Sequence, residues 1–401
     1  ELRQEENKSA FYEVVKRLYK KVAENKKRKF LNTFEDFEKL ANSDLKEETP
    51  SVLCPSCRSV LIEEGQEVCK WCETFEEVGS FLPRAKYVVF SKDKMKEKGY
   101  FLEGFGGFYL TDQPVEGFAY SINSTQMEGV AGFKFFANTV PIGEDRQVMS
   151  FEEMVEGEEG YQKLGYVRAD VDNLGYIFSE GLRETYSISR IATLSRSLDL
   201  FFSGYLNRLF EKEFKNQVYV VYAGGDDLFI IAHWEKALEV VERIHTDFKA
   251  YTCQKESFDL SCGVSLADPK HPLRFGAEEA GAEEDKAKER KPAIRVLGET
   301  LKWEEFKEAR EQAEKFLQHH GDKVGRSMVY KIYSLLKLHM KDGLLNMRFY
   351  PLLYYFVNRN IPEDTTRESF LELLLNKKDY SVKNSASFVL KYILMKTRGV
   401  S

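Results

Sequence analysis

The sequence contains no apolar run long enough to cross a bilayer and no signal-peptide pattern. On that reading a soluble, cytoplasmic chain without membrane contact is expected. It lacks an initiator Met, as a fragment would. It has no excess of positive charge: 59 Lys and Arg stand against 65 Asp and Glu, a formal net charge of −6. Such a chain does not wrap nucleic acid with its own surface, although a local patch or a partner could still make the contact. Histidine is scarce, six residues that form no cluster, so a Ser/His/Asp triad has no support. Nor is there any sign of disorder. Apolar residues make up 43% and aromatics 13% of 401 residues, enough for two or three domains with their own cores.

What the chain does have is Val218-Tyr-Val-Val-Tyr-Ala-Gly-Gly-Asp-Asp-Leu-Phe-Ile-Ile-Ala232. Two β-branched and aromatic runs flank Gly224-Gly225, which predicts a hairpin. Asp226 and Asp227 then place adjacent carboxylates where a buried strand should begin. Two like charges there are costly unless a cation compensates them. Gly and Asp are also ordinary turn residues, so this stretch alone leaves both readings open.

Upstream, Leu164-Gly-Tyr-Val-Arg-Ala-Asp170-Val-Asp172 reads as another strand ending in carboxylates, spaced to share one face. Between the two lies a helix with Ile191, Leu194, Leu198, Phe202, Tyr205 and Leu209 on one side. After the hairpin, Leu238, Val241, Ile244, Phe248 and Tyr251 repeat the helical spacing, and Phe258 to Leu266 reads as a last strand. The order βαββαβ is that of a split βαβ, or ferredoxin-like, unit. Its first and third strands are neighbours, so Asp170 should lie close to Asp226 at one sheet edge. Carboxylates gathered there suit a hard cation such as Mg²⁺ or Mn²⁺. Gly224 and Gly225, lacking Cβ atoms, would admit a base or a phosphate to the backbone.

Cys54-Pro-Ser-Cys57 and Cys69-Lys-Trp-Cys72 form two Cys-x-x-Cys knuckles, the pattern of a tetrahedral four-thiolate Zn²⁺ site with a structural role. Two disulfides would need an oxidising compartment, for which nothing argues. Cys253 and Cys262 are isolated and expected to be half-buried thiols. Residues 1–50 read as charged helix, with a basic run Lys26 to Lys29. Residues 81–150 read as a small β-rich connector, with Gly104 to Gly107 a turn, and Glu152 to Gly160 as an acidic linker. Arg274 to Arg290 is helical; the lysines closing it, Lys288 among them, would complement its dipole or reach a triphosphate. Ile294 to Leu297 could add an edge strand. From Trp303 onward the pattern is helical, in about five segments broken at Gly321, Gly343, Pro362 and near Lys383. Its aromatics, Tyr330, Tyr333, Tyr350, Tyr354, Tyr355 and Phe356, are expected in the bundle core.

Gly224-Gly-Asp-Asp227 in a palm hairpin, Arg168-Ala-Asp-Val-Asp-Asn-Leu-Gly175 upstream, Leu194-Ser-Arg196 between them and the double cysteine knuckle occur in one chain. Together they resemble the large subunit of type III CRISPR effector complexes, the Csm (III-A) branch in particular. The resemblance divides the chain into 1–50, the end of a first palm; 51–155, a zinc-binding middle domain with its β-rich connector; 156–300, the palm; and 301–401, a helical bundle. The fold class is α+β. The resemblance implies polymerisation of ATP into cyclic oligoadenylate when the complex has bound target RNA. It implies that Asp170, the Val171 carbonyl, Asp226 and Asp227 hold Mg²⁺ or Mn²⁺, that Ser195 faces the adenine and that Lys288 meets the phosphates. It leaves the role of Asp172 open. The implied partners are the other Csm subunits, especially the one capping the crRNA 5′ handle, with crRNA, target RNA and single-stranded DNA. Members of this family usually begin with an HD nuclease domain and a complete first palm. Neither is present in this sequence, so the resemblance does not assign a DNase to it. The competing expectations are a palm cyclase using another nucleotide, such as GTP, and a scaffold that binds nucleotide without turnover.

Overall fold

The computed structural model describes residues 2–28, 51–63, 65–113, 115, 118–144, 146–158, 160–182, 187–341 and 344–398. Residues 29–50, with Lys29 of the basic run, and the helix break at Gly343 lie outside them. The chain packs as two units, Glu1–Phe136 with Gly175–Leu198, and Ala137–Leu174 with Asp199–Ser401. No helix among the described residues is long and apolar enough to cross a membrane.

In the first unit, α1 spans Leu2–Lys27. A two-stranded ribbon, β1 (Ser51–Leu53) and β2 (Leu61–Glu63), precedes α2 (Lys70–Phe81). Five strands follow: β3 (Tyr87–Ser91), β4 (Lys98–Leu102), β5 (Gly106–Thr111), β6 (Phe118–Ile122) and β7 (Gly132–Lys134). They form one sheet in the order β4-β5-β3-β6-β7. Val78 of α2 packs with Ala85, Val88, Leu110 and Ile122 to make its core. This is the β-rich connector expected from the Gly, Phe and Tyr content, and Gly104 turns the chain between β4 and β5.

The second unit is built on β8 (Leu164–Val171). Helix α3 (Ile188–Asp199) belongs to the first unit up to Leu198; from Asp199 the chain continues in the second unit through a widened π-type turn, Leu200–Tyr205, and α4 (Leu206–Glu213). The hairpin strands are β9 (Val218–Gly224) and β10 (Asp227–His233), followed by α5 (Trp234–Tyr251), β11 (Leu260–Ala267) and α6 (Leu273–Lys288). Within the sheet the four strands stand in the order β11-β8-β10-β9, the 4-1-3-2 order of a ferredoxin-like unit, with β8 antiparallel to both neighbours. Two short strands, β12 (Ile294–Val296) and β13 (Glu299–Leu301), extend it past β11, so Ile294–Val296 is an inner strand and β13 takes the edge.

The widened turn corrects the helix register. It buries Phe201 and Phe202 together, then Leu206, Leu209 and Phe210. Tyr205, expected in the core, is displaced outward and donates through its hydroxyl to Asp247 Oδ2 at 2.8 Å. Tyr251 is likewise exposed, at the end of α5. The acidic stretch read as a linker also carries core residues: Met154 and Val155 pack with Leu164, Tyr166 and Phe229. Cys262 is fully buried and Cys253 exposed, so neither is the half-buried thiol expected.

Five helices close the chain: α7 (Trp303–His320), α8 (Arg326–His339), α9 (Phe349–Asn360), α10 (Asp364–Leu374) and α11 (Ala386–Lys396). A small pair, β14 (Met340–Lys341) and β15 (Leu344–Leu345), follows α8. The core takes Phe306, Phe316, Phe349, Phe370, Phe388 and Tyr392, while Tyr330, Tyr354 and Tyr355 are exposed, opposite to expectation. Lys331 and Arg359 lie over the Phe356 and Tyr355 rings, keeping those aromatic edges at the surface. The bundle is tied to the sheet by Trp303, whose Nε1 donates to the Leu260 carbonyl at 2.8 Å, and by Lys396, 2.6 Å from Glu235.

Candidate functional site

The hairpin turns one residue later than its two glycines suggest. Gly224 pairs with Asp227, leaving Gly225 and Asp226 as the two-residue loop. Gly225 has φ +67° and Asp226 no positive φ, the pattern of a type II′ turn. No atom lies within 4 Å of where a Gly225 Cβ would stand, so that face is open. Asp170 on β8 sits directly across from Asp227 on β10, with Asp226 in the adjoining turn. The Asp226 carbonyl accepts from the Val171 amide at 3.1 Å, closing the ends of β8 and β10 on each other. Register and turn therefore bring Asp170, Asp226 and Asp227 to one sheet edge.

These charges work against one another. Burial raises the Asp226 carboxyl above its ordinary pKa, and the negative charge of Asp170 adds to it. Asp227 is raised by burial, then by Asp226 and Asp170. A compensating charge is Lys288, at the end of α6, whose Nζ lies 2.6 Å from Asp170 Oδ2 and 2.6 Å from Glu284 Oε1. Burial works to lower the Lys288 pKa, but Asp170 and Glu284 outweigh it and hold the ammonium above its ordinary value. The helix-end lysine thus faces the carboxylates. Asp172 lies beyond the strand end and is buried; both its oxygens accept from Ser261 Oγ at 2.9 Å. Burial pushes its carboxyl up to about 6, with Ser261 and Lys291 opposing. It is committed to β11 and not to the hairpin. Ser195 is exposed on α3, one helical turn before Asp199, and belongs to the first unit.

Three neighbours of the carboxylates were not singled out in the sequence. Glu284 is buried one turn before Lys288, and Arg168 reaches it at 3.4 Å. The i, i+4 spacing of Glu284 and Lys288 was the available signal. Asp199 and Ser203 contact the hairpin turn from the widened helical segment. No periodicity announces them, because the extra residue per turn rotates the helix face.

The cysteines form a second, separate cluster in the first unit. Cys54 and Cys57 follow β1, and Cys69 and Cys72 open α2. All four Sγ atoms lie within 4.8 Å of one another, with Cys54–Cys72 at 3.9 Å and Cys57–Cys69 at 3.8 Å. A tetrahedron with sulfur ligands at about 2.3 Å from its centre has edges of about 3.8 Å. The Cys69 amide donates to Cys54 Sγ at 3.3 Å. Backbone N–H groups of Cys57 and Cys69 draw the Cys54 thiol down to about 6, toward the thiolate a metal needs. Among the described residues this quartet is the one set of three or more such side chains drawn so close; the three aspartates are adjacent but not gathered to a point.

Residues 163–294, a range that takes in β8 through α6, match the family "Cas10/Cmr2, second palm domain". The chain is similar to the Cas10/Csm1 protein (subtype III-A) of Methanocaldococcus jannaschii, named a single-strand-specific deoxyribonuclease. That relative is 31% identical over 254 residues, covering 56% of this chain and 32% of its own length. The protein of the same name from Thermococcus onnurineus is 28% identical over 410 residues, covering 90% of this chain and 51% of its own. The crystal structure of Csm1 in T. onnurineus superposes with a TM-score of 0.65 at 23% identity, over 79% of this chain and 50% of that one. Csm1–Csm4 cassettes solved with AMPPNP and with cA4 superpose at 0.60, at 24% and 23% identity, over 79% and 78% of this chain and 49% and 48% of theirs. At that identity the superpositions establish the fold. The chain spans about half the length of these structures and between 32% and 51% of the two relatives. In its matched palm domain, its sequence relatives and its fold, the chain is similar to the Cas10/Csm1 proteins of subtype III-A.

Proposed function

We propose that this chain is a metal-dependent nucleotidyltransferase that converts ATP into cyclic oligoadenylate within a type III-A CRISPR ribonucleoprotein. The single observation that carries the reading is the juxtaposition of Asp170, Asp226 and Asp227 beside a turn whose Gly225 face is open. Two carboxylates raised by burial and by neighbouring negative charge form a site where added positive charge is favourable, and the oxygen donors suit Mg²⁺ or Mn²⁺. Asp170, the Val171 carbonyl, Asp226 and Asp227 would hold the ions, which when bound supply charge compensation to a triphosphate. The chain's own part is positioning. Gly225 admits the nucleotide to the backbone, the Gly224 face being taken by Ser203 and Asp199, and Lys288, held by Glu284, presents a cation to its phosphates. Joining two nucleotides needs a ribose 3′-hydroxyl in line with an α-phosphate and pyrophosphate leaving, so alignment contributes more than any covalent step on the protein.

The Cys54, Cys57, Cys69 and Cys72 quartet we assign to a structural Zn²⁺, since four thiolates leave no open position. The partners are the other Csm subunits, with the Csm1–Csm4 pairing of the structural relatives as the guide, together with crRNA, target RNA and single-stranded DNA in the cytoplasm. The deoxyribonuclease named for the relatives is not assigned to any residue of this chain.

The test is ATP turnover, followed by mass spectrometry of products, by the chain alone and in the assembled complex with and without target RNA. Cyclic oligoadenylate that disappears in Asp226→Ala/Asp227→Ala supports the proposal; no product in the complex under any condition ends it. One observation favours a second reading, a nucleotide-binding scaffold without turnover: Asp170 is already paired with Lys288. Under that reading the double variant would change ATP binding, while the wild type made no product.

A further inference from the structure

The Gly-Gly turn is held from behind by two side chains of the widened helical turn. Asp199 Oδ1 accepts from Ser203 Oγ at 2.9 Å and lies 3.4 Å from the Gly225 amide. Ser203 Oγ also reaches the Ala223 carbonyl at 3.3 Å. One backbone group on each side of Gly224 is therefore engaged by the same i, i+4 pair. A Cβ at Gly224 would stand 3.1 Å from Ser203 Oγ and 3.7 Å from Asp199 Oδ1. The two glycines thus differ in their surroundings: Gly224 faces this pair, and Gly225 faces open space. In a regular α-helix each residue advances the face by about 100°. The π-type turn over Leu200–Tyr205 changes that phase, and such insertions concentrate at functional positions. Here it carries Ser203, 4% exposed in a run of Phe201 and Phe202, against a loop, although its neighbours belong to the core.

We propose that Asp199 and Ser203 are positioning residues for the nucleotide at this turn. They hold the Ala223 carbonyl and the Gly225 amide so that the open face of Gly225 is preset for a base or phosphate. The nucleotide part of this inference rests on the proposed function; the brace itself rests only on the contacts above. A preset loop binds tighter because its ordering is not charged against the ligand. Loss of one such hydrogen bond corresponds to about a five- to tenfold weaker Kd.

The experiment uses the whole chain as Asp199→Ala, Asp199→Asn and Ser203→Ala. Calorimetry measures the Kd for ATP with Mg²⁺, and hydrogen exchange follows the peptide over residues 222–228 without nucleotide. Asp199→Ala and Ser203→Ala are expected to speed exchange in that peptide and to raise Kd about five- to tenfold, with Tm close to wild type. Asp199→Asn keeps an acceptor oxygen and is expected to restore both toward wild type. Unchanged exchange and affinity in Asp199→Ala would overturn the proposal, as would an Asn variant as impaired as the Ala variant. A wild type that takes up no ATP would overturn the nucleotide reading instead, and the exchange measurements then decide the brace alone.

Discussion

Gly225 combines a left-handed φ of +67° with empty space where a side chain would stand. Two effects then separate at one position. Gly225→Ala should cost only about 1–2 kcal/mol in urea unfolding, the strain of an L-residue in that region. The added methyl, projecting into the space assigned to nucleotide, should weaken ATP binding more than a penalty of that size alone would. An Ala variant that binds ATP as the wild type does would remove Gly225 from the site. At the carboxylates, Asp227→Ala should lower turnover on the order of a hundredfold or more in steady-state assays of the complex, because it deletes a contact aimed at developing charge. These residues were legible because they break a pattern: charged pairs and glycines interrupt β-branched runs. Glu284 was not, since a buried Glu in an Ala/Glu/Lys helix looks like any solvated one. Only its two cationic neighbours, Lys288 and Arg168, explain its burial.

Between elements, the closest approach that matters to the site is β11 against α6. A Cβ on Gly263 would stand 2.1 Å from the Glu284 amide nitrogen and 2.5 Å from the Ala280 carbonyl oxygen. Both are backbone atoms of one helix and cannot swing aside. Gly263→Ala should therefore push α6 off the sheet at a cost of about 3 kcal/mol, read as a lowered urea midpoint. It should also impair ATP binding, since Glu284 and Lys288 ride on that helix. Near-wild-type stability would mean that α6 relaxes freely, and would weaken the case that its position presents Lys288. Strand order and the helices flanking the hairpin were readable because alternating and 3.6-residue periods differ strongly. The phase of the connecting helix was not. An inserted residue in one turn leaves composition unchanged, yet exchanges Tyr205 for Phe201 in the core. The strands β12 and β13 were only half visible, three residues each being too short for a clear alternation.

Across the second unit, histidines sit where sheet and helices meet. His245 stacks on Trp303 with centroids 4.0 Å apart, and its Nε2 lies 2.9 Å from Asp259 Oδ1. Burial holds its pKa below the ordinary 6.5; Lys307 adds to that, while Asp259 and Glu304 oppose. His233 is lowered by burial too, against Glu158, the Tyr161 carbonyl and Glu235. With folded values below the unfolded one, the unfolded chain takes up more protons as pH falls. The stability these groups contribute is complete above the unfolded pKa of about 6.5 and is lost as pH falls through the depressed folded values. Calorimetry should therefore show a smaller loss of Tm between pH 7 and pH 5 in His233→Gln than in the wild type, a comparison in which the opposite contribution of the raised Asp172 carboxyl cancels; equal losses would contradict a neutral, buried histidine.

The division into two units makes a further expectation specific to the cysteine quartet. Its edges match a sulfur tetrahedron, and around it lie the short strands β1 and β2 and the first turn of α2, with Ile62 and Val68 as its apolar neighbours. So small a core is unstable without its metal, because the binding free energy of a structural Zn²⁺ is folding free energy. The second unit has its own extensive core, from Trp234 through Phe388, and owes none of it to the thiolates. Treatment with a strong chelator should abolish exchange protection over residues 51–81, and Cys57→Ser should do the same. The calorimetric transition of the palm and bundle should stay within a few degrees, on the order of the shift produced by about 1 kcal/mol. Native mass spectrometry should show one Zn²⁺ lost in parallel. If chelation lowered both transitions together, the thiolate site would be stabilising more than residues 51–81, and its assignment as a local staple would fail.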